Sequence, residues 1–162
     1  MEKYELVDIN GKKAGKIITD KELENKNNIP TRHYMPVVGV LIINNKNEIL
    51  LQKRSRFKKI NPNKWGICGG KVNLNEDTVT AILRETVEEI GINLNKDDLK
   101  ILTKISENGT YYTTYYIRQD VNISECIIQK EELEELRYFK IEDLKNLDNE
   151  GFEWLEKLKE II

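Results

Sequence analysis

The stretch covering residues 70–92, GKVNLNEDTVTAILRETVEEIGI, constrains this chain more than any other. It holds Gly70, Glu76, the pair Arg84-Glu85, the pair Glu88-Glu89 and then Gly91-Ile92. Residues 77–90 carry the clearest helical period in the sequence. At about 100° per residue, Val79, Ile82, Leu83, Thr86, Val87 and Ile90 fall on one side. Glu85, Glu88 and Glu89 fall on the other, at spacings of three and four, and Gly91 ends the helix. Like charges so spaced repel by a few tenths of a kcal/mol per exposed pair, and acids near a helix C-terminus also oppose the macrodipole. Two arrangements relieve that cost. One is a solvated acidic face eased by Arg84 and by lysines elsewhere. The other is a hard cation, Mg2+ or Mn2+, held by oxygen ligands with substrate phosphates completing its shell. Periodicity alone leaves both open.

The rest of the chain frames this helix with strands. Residues 4–18 carry short apolar runs around Asn10-Gly11, a hairpin signal. Thr19 or Asp20 offers a cap for a short helix or loop that leads to Pro30. This N-terminal extension reads equally as a plain extension and as a substrate-facing flap. Residues 37–43 (VVGVLII) read as a strand buried on both faces, returning through residues 44–47 to a partner at 49–52. The loop 53–65 has six basic residues, and Arg54 and Lys58 could grip phosphates there. Composition alone favours a solvated basic loop, with Trp65 as a core anchor. Residues 67–72 read as a short strand whose two glycines suit a tight backbone path. Strands are expected at 99–106 and 111–118, at 121–128 with Cys126 in it as a buried thiol, and at 136–139. Helices are expected at 141–147 and 152–162. Strands before and after one acidic helix, with helices at the end, imply an α/β layered domain.

Composition narrows the classes. The length of 162 residues suits one domain with a single buried core. No stretch reaches the length of a membrane span and the N-terminus lacks the apolar run of a signal peptide, so a cytoplasmic protein is expected. With 26 basic and 28 acidic residues, the charge balance gives no reason to expect nucleic-acid binding. Cys68 and Cys126 make neither a disulfide framework nor a metal-ligand pattern. The single histidine, His33, rules out a site needing two imidazoles.

The residues 70–92 resemble the Nudix box, in which Gly is followed at fixed intervals by Glu, Arg-Glu, Glu-Glu and Gly. All seven fixed identities are present, and average residue usage would give that at roughly one start in a hundred million. Thr86 stands where a larger apolar residue is usual, and Asn75 where Gly often precedes the first Glu. The resemblance extends from about Pro36 to the C-terminus. It implies the Nudix fold, a mixed β-sheet sandwiched between α-helices (α/β/α), with residues 31–162 as the Nudix domain and 1–30 as a hairpin extension. It also implies Mg2+-dependent hydrolysis of the phosphoanhydride of a nucleoside diphosphate linked to a further moiety X, with Mn2+ as substitute. By motif position, Glu85, Glu88 and Glu89 would be metal ligands, joined by the Gly70 carbonyl. Glu85 or a neighbouring acid would help deprotonate water, and Arg84 would orient the carboxylates. Glu76 would brace the loop or reach the metals through water. Glu132 sits where relatives often place one further acid. A small-molecule diphosphate is the expected partner, without nucleic acid or membrane, and a homodimer is left open.

The extension and the run Gln52-Lys53-Arg54…Lys58…Pro62…Trp65…Cys68-Gly69 are similar to type I isopentenyl-diphosphate isomerases and their Nudix hydrolase relatives. In the isomerases, basic residues matching Arg54 and Lys58 hold the diphosphate. Isomerase chemistry is the weaker alternative. Gly70 stands where the isomerases carry His, the interval from Cys68 to Glu76 is one residue longer, and only Glu107 lies near their second catalytic Glu. A non-catalytic nucleotide sensor is a third reading. Such proteins commonly lose box acids, and none is lost here.

Overall fold

At Asn10-Gly11 the chain turns from β1 (Lys3–Val7) back into β2 (Lys13–Thr19), an antiparallel pair with a register shift between Glu5 and Val7. Gly11 has φ of +80°, and a Cβ there would lie 2.8 Å from the Tyr111 ring, so only glycine lets the turn dock on that side chain. Thr19 then starts α1 (Asp20–Leu23) through a reciprocal capping box with Glu22. The computed structural model describes residues 1–149 and 151–162.

The main sheet is built on β3 (Met35–Ile43), whose apolar run is buried along almost all its length. β4 (Ile49–Arg54), β5 (Trp65–Gly66), β6 (Cys68–Lys71), α2 (Thr78–Ile90), β7 (Lys100–Glu107), β8 (Thr110–Arg118), β9 (Leu133–Phe139) and α3 (Leu155–Ile161) follow. Among the described residues the sheet has seven strands in the order β5-β4-β3-β8-β7, with β6 also on β3 and β9 also on β4. β3 runs parallel to β8 from Met35 opposite Thr110 to Ile43 opposite Arg118, and the other pairings are antiparallel. The expected hairpin of β3 and β4 is present but pairs only at Ile43 and Ile49. The two strands then fork. β6 takes the edge of β3 at Val37–Val40, and β4 instead pairs with β5 and β9.

Alternation along the strands fills both faces of this sheet. Val38, Val40, Ile42 and Leu50 pack with Ala81, Ile82 and Ile90 of α2. Leu41, Ile43, Ile49 and Leu51 pack on the other face with Leu144, Trp154 and Leu158. The α/β/α sandwich is therefore formed. Residues 141–146 make a 3-10 helix rather than an α-helix, and the terminal helix begins at Leu155, behind the buried Trp154. A third cluster joins Tyr4, Leu6 and Ile18 of the hairpin to Met35 at the start of β3. No helix among the described residues is long and apolar enough to cross a membrane.

Two expectations are corrected. Residues 121–128 form no strand. Asn122 caps a 3-10 turn at Ile123–Glu125 by accepting from the Ser124 N–H, and such local side-chain bonds draw a backbone out of a ladder. Cys126 is only partly buried there. The second correction concerns the faces of α2. Its buried stripe is Ala81, Ile82, Thr86 and Ile90, and Val87 is 47% exposed. Glu85 and Glu89 are half-buried toward the sheet rather than turned to water. The cause lies opposite, where Gly69 and Gly70 of β6 carry no side chains to keep the carboxylates out.

Candidate active site

Residues 71–77 shape the entry to α2. Asn75 takes φ of +66°, the left-handed region that asparagine tolerates better than branched residues. That conformation explains why glycine serves at the same place. Asp77 caps the helix by accepting the Thr80 N–H at 2.7 Å, which holds its carboxyl below the usual range. The Asn73 N–H donates to Glu76 at 2.9 Å.

Arg84 gathers three of the four acids. Its Nε and Nη2 donate to the two oxygens of Glu76 at 2.8 and 2.9 Å, a bidentate pair with Glu76 only 10% exposed. Nη1 donates to Glu85 at 3.0 Å and to Glu88 at 3.1 Å, and Nη2 also reaches the Lys71 carbonyl at 3.0 Å. These hydrogen bonds, followed by the Asn73 amide, lower the Glu76 pKa, and the Arg84 guanidinium is held firmly charged. Burial dominates at Glu85 and raises its pKa despite Arg84.

The fourth acid is held differently. Glu89 spans the fork in the sheet, accepting from Gln52 Nε2 on β4 at 2.7 Å and from the Gly69 N–H on β6 at 3.3 Å. Burial pushes its pKa up to about 7, although Gln52 favours the charged form. Gly70 lies against Glu85, where a Cβ would come within 2.3 Å of the carboxylate oxygen.

Of the two basic residues singled out in the sequence, Lys58 reaches the rim of this cluster and pairs with Glu132 at 2.7 Å. The charge of Glu132 is in turn felt by Glu89. Arg54 Nε donates to the Ile60 carbonyl of its own loop at 2.9 Å. Cys68 is buried under α2, with its Sγ 3.9 Å from the Glu85 carbonyl, and burial raises its pKa well above the usual thiol value. His33 stands apart in the turn that precedes β3, its Nδ1 3.0 Å from the Thr31 carbonyl. The hairpin also walls a cavity of about 250 Å³ that borders the cluster at Glu76 and is lined by Thr78 and Tyr111.

Among the described residues no three Asp, Glu, His or Cys side chains are grouped closely enough to hold one ion together. Arg84 holds Glu76, Glu85 and Glu88 and Gln52 holds Glu89, with the Glu85 and Glu89 side chains in hydrogen-bond contact between the two sets. The donors nevertheless fit a hard divalent ion. They are carboxylate oxygens on adjacent turns, beside a glycine that leaves space at Glu85, and the Gln52 Oε1 is buried with no hydrogen-bond partner. Gln52 and Gly69 were not singled out as site residues in the sequence. The available signal was the alternation of β4, which places a polar residue at 52 on the helix-facing side shared with Leu50.

The pattern of the NUDIX domain matches residues 33–158. An uncharacterized Nudix hydrolase of Listeria monocytogenes is 29% identical over 138 residues, covering 82% of each chain. The nucleoside triphosphatase NudI of Klebsiella pneumoniae is 30% identical over 117 residues, 66% of this chain and 83% of that one. The crystal structure of DR0079 from Deinococcus radiodurans superposes with a TM-score of 0.74 at 20% identity, covering 98% of both chains.

Proposed function

The chain belongs to the NUDIX family and is a hydrolase of diphosphate linkages, and from that premise we propose that residues 70–92 form its catalytic centre and take Mg2+, or Mn2+ in its place. The observation that carries this reading is the packing of Glu76, Glu85 and Glu88 around Arg84 with Glu89 alongside, against a glycine. Glu85, Glu88 and Glu89 would hold the ion with the Gly70 carbonyl, and Glu76 would reach it through water. When bound, the ion neutralises phosphate charge and lowers the pKa of water.

The chain's own residues supply the rest. Glu85 or a neighbouring acid accepts a proton from the attacking water. The water oxygen bonds to phosphorus as the anhydride P–O bond breaks, and that bond's electron pair leaves with the departing phosphate. Arg84 holds the carboxylates in register through five hydrogen bonds, one of them to the Lys71 carbonyl. Lys58 exchanges Glu132 for a substrate phosphate oxygen, which places the diphosphate at the rim next to Glu89. The likeness to NudI supports a nucleotide as the substrate.

The test is turnover of nucleoside triphosphates, dinucleotide polyphosphates, nucleotide sugars and isopentenyl diphosphate by the parent and by Glu85→Gln and Glu88→Gln. Losses of roughly 100-fold to 10,000-fold are expected on every diphosphate the parent cleaves. Wild-type turnover by both variants would overturn the assignment. Appearance of the allylic isomer without phosphate release would establish the isomerase alternative.

A further inference from the structure

Gln52 is only 5% exposed and lies on the helix-facing side of β4, where Leu50 marks the position as one for an apolar side chain. Its Nε2 donates to Glu89 at 2.7 Å, and its Oε1 is buried without a hydrogen-bond partner. A buried amide left half satisfied is costly, so its presence in an apolar layer calls for a gain elsewhere. The gain is specific to Glu89. Arg84 pairs with Glu76, Glu85 and Glu88, and among the described residues no basic side chain pairs with Glu89. Besides the neighbouring carboxyl of Glu85, that acid is held by two neutral donors, the Gln52 amide and the Gly69 N–H, one from β4 and one from β6.

We infer that Gln52 is a positioning residue for the metal centre, one that aims the Glu89 carboxylate without neutralising it. A lysine or arginine at this place would orient the same oxygen but would form an ion pair that a divalent cation must break. An amide leaves the negative charge available. Hydrogen-bond partners behind metal ligands typically govern affinity by 10-fold to 100-fold. The inference rests on the reading of Glu89 as a ligand, and its test separates the two.

The experiment is a Mn2+ titration of the substrate-free protein, with free Mn2+ read by electron paramagnetic resonance. The proteins compared are wild type, Gln52→Met, Gln52→Lys, Glu89→Gln and the double variant Gln52→Met/Glu89→Gln. Methionine keeps the length and removes the donor, whereas lysine keeps a donor and adds charge. Gln52→Met and Glu89→Gln are each expected to raise the Mn2+ midpoint by roughly 10-fold to 100-fold, Gln52→Lys by at least as much, and the double variant no further than Glu89→Gln. Melting without metal serves as the control for a merely structural role, which would lower the melting temperature and leave the midpoint in place. If Glu89→Gln weakens binding while both Gln52 variants titrate like wild type, the role of Gln52 is overturned and the metal reading stands. If Glu89→Gln itself titrates like wild type, the ligand assignment falls, and the positioning role falls with it.

Discussion

Asn75 and Gly70 show how single positions in the residue 70–92 segment divide between stability and chemistry. Asn75 holds φ of +66°, so the backbone rather than the side chain sets what fits there. Asn75→Val is expected to cost about 1–2 kcal/mol and Asn75→Gly to change stability by less than about 1 kcal/mol, both read by urea denaturation. A large loss in the glycine variant would show that the amide, not the backbone, holds the turn. The two glycines of β6 behave differently from each other. A Cβ on Gly69 would sit 2.1 Å from the Val38 carbonyl, which is backbone and cannot give way. A Cβ on Gly70 would meet the far end of Glu85, a flexible side chain. Gly69→Ala should therefore lose soluble folded protein. Gly70→Ala should melt within a few degrees of wild type and lose at least roughly 100-fold in turnover. An active Gly70→Ala enzyme would contradict the placement of the centre.

At the level of elements, α2 is held to the sheet by an apolar stripe and yet points two carboxylates into the same interface. Glu89 bears the heavier cost, with burial lifting its pKa to about 7. In metal-free protein at pH 8 that acid is ionised and only neutral groups compensate it. Glu89→Gln should therefore raise stability without metal, by about 2 kcal/mol. A fixed excess of Mg2+ should raise the melting temperature of the wild type by more than that of the variant. Scanning calorimetry with and without chelator checks both halves. A metal-free variant less stable than wild type would mean that the carboxylate is a structural acceptor first. The spacing of three and four identified this helix and its acids in the sequence. It did not identify their orientation, because the side of a helix that is buried depends on what it packs against. Here that is a glycine pair in β6, not a bulky strand face.

In the whole molecule, the N-terminal hairpin packs on the rest through Tyr4, which clusters with Met35 and has the Lys71 ammonium 5.5 Å from its ring, while its hydroxyl ties the extension to itself. That side chain is 1% exposed, and its hydroxyl donates to Asp20 and, at 2.8 Å, to Glu2. Burial, then these two carboxylates, raise the phenol pKa above its ordinary value of about 10. A raised pKa in the folded state means that the protonated phenol is the form the fold favours. Its contribution is full below about pH 10, the unfolded value, and is lost as the pH climbs through the higher folded value. Tyr4→Phe should cost about 1–2 kcal/mol at pH 7. The gap to wild type should close in melts carried out above about pH 10. A gap that stays constant with pH would assign the loss to packing alone. The Lys3 carbonyl accepts the Leu74 N–H at 2.9 Å, so loosening the hairpin is transmitted to the loop that carries Glu76.

Taken alone, the sequence determined the acid-bearing helix, the run of acids and glycines on it and most strands around it. Those features are local: a period of 3.6 or 2, a turn pair such as Asn10-Gly11, and a fixed run of acids and glycines. It could not determine where β3 and β4 separate, since that depends on β6, β5 and β9 competing for their edges. Nor could it place Gln52 opposite Glu89, a contact 37 residues apart that exists only because the fork brings β4 and α2 together. The expected strand at 121–128 fell to Asn122, whose short side chain bonds its own backbone more cheaply than a distant ladder could. The acids on α2 are thus legible from their spacing. The neutral donors that favour the charged form of one of them against burial are set by tertiary packing, because they come from strands remote in the chain and are united only when the sheet closes against the helix.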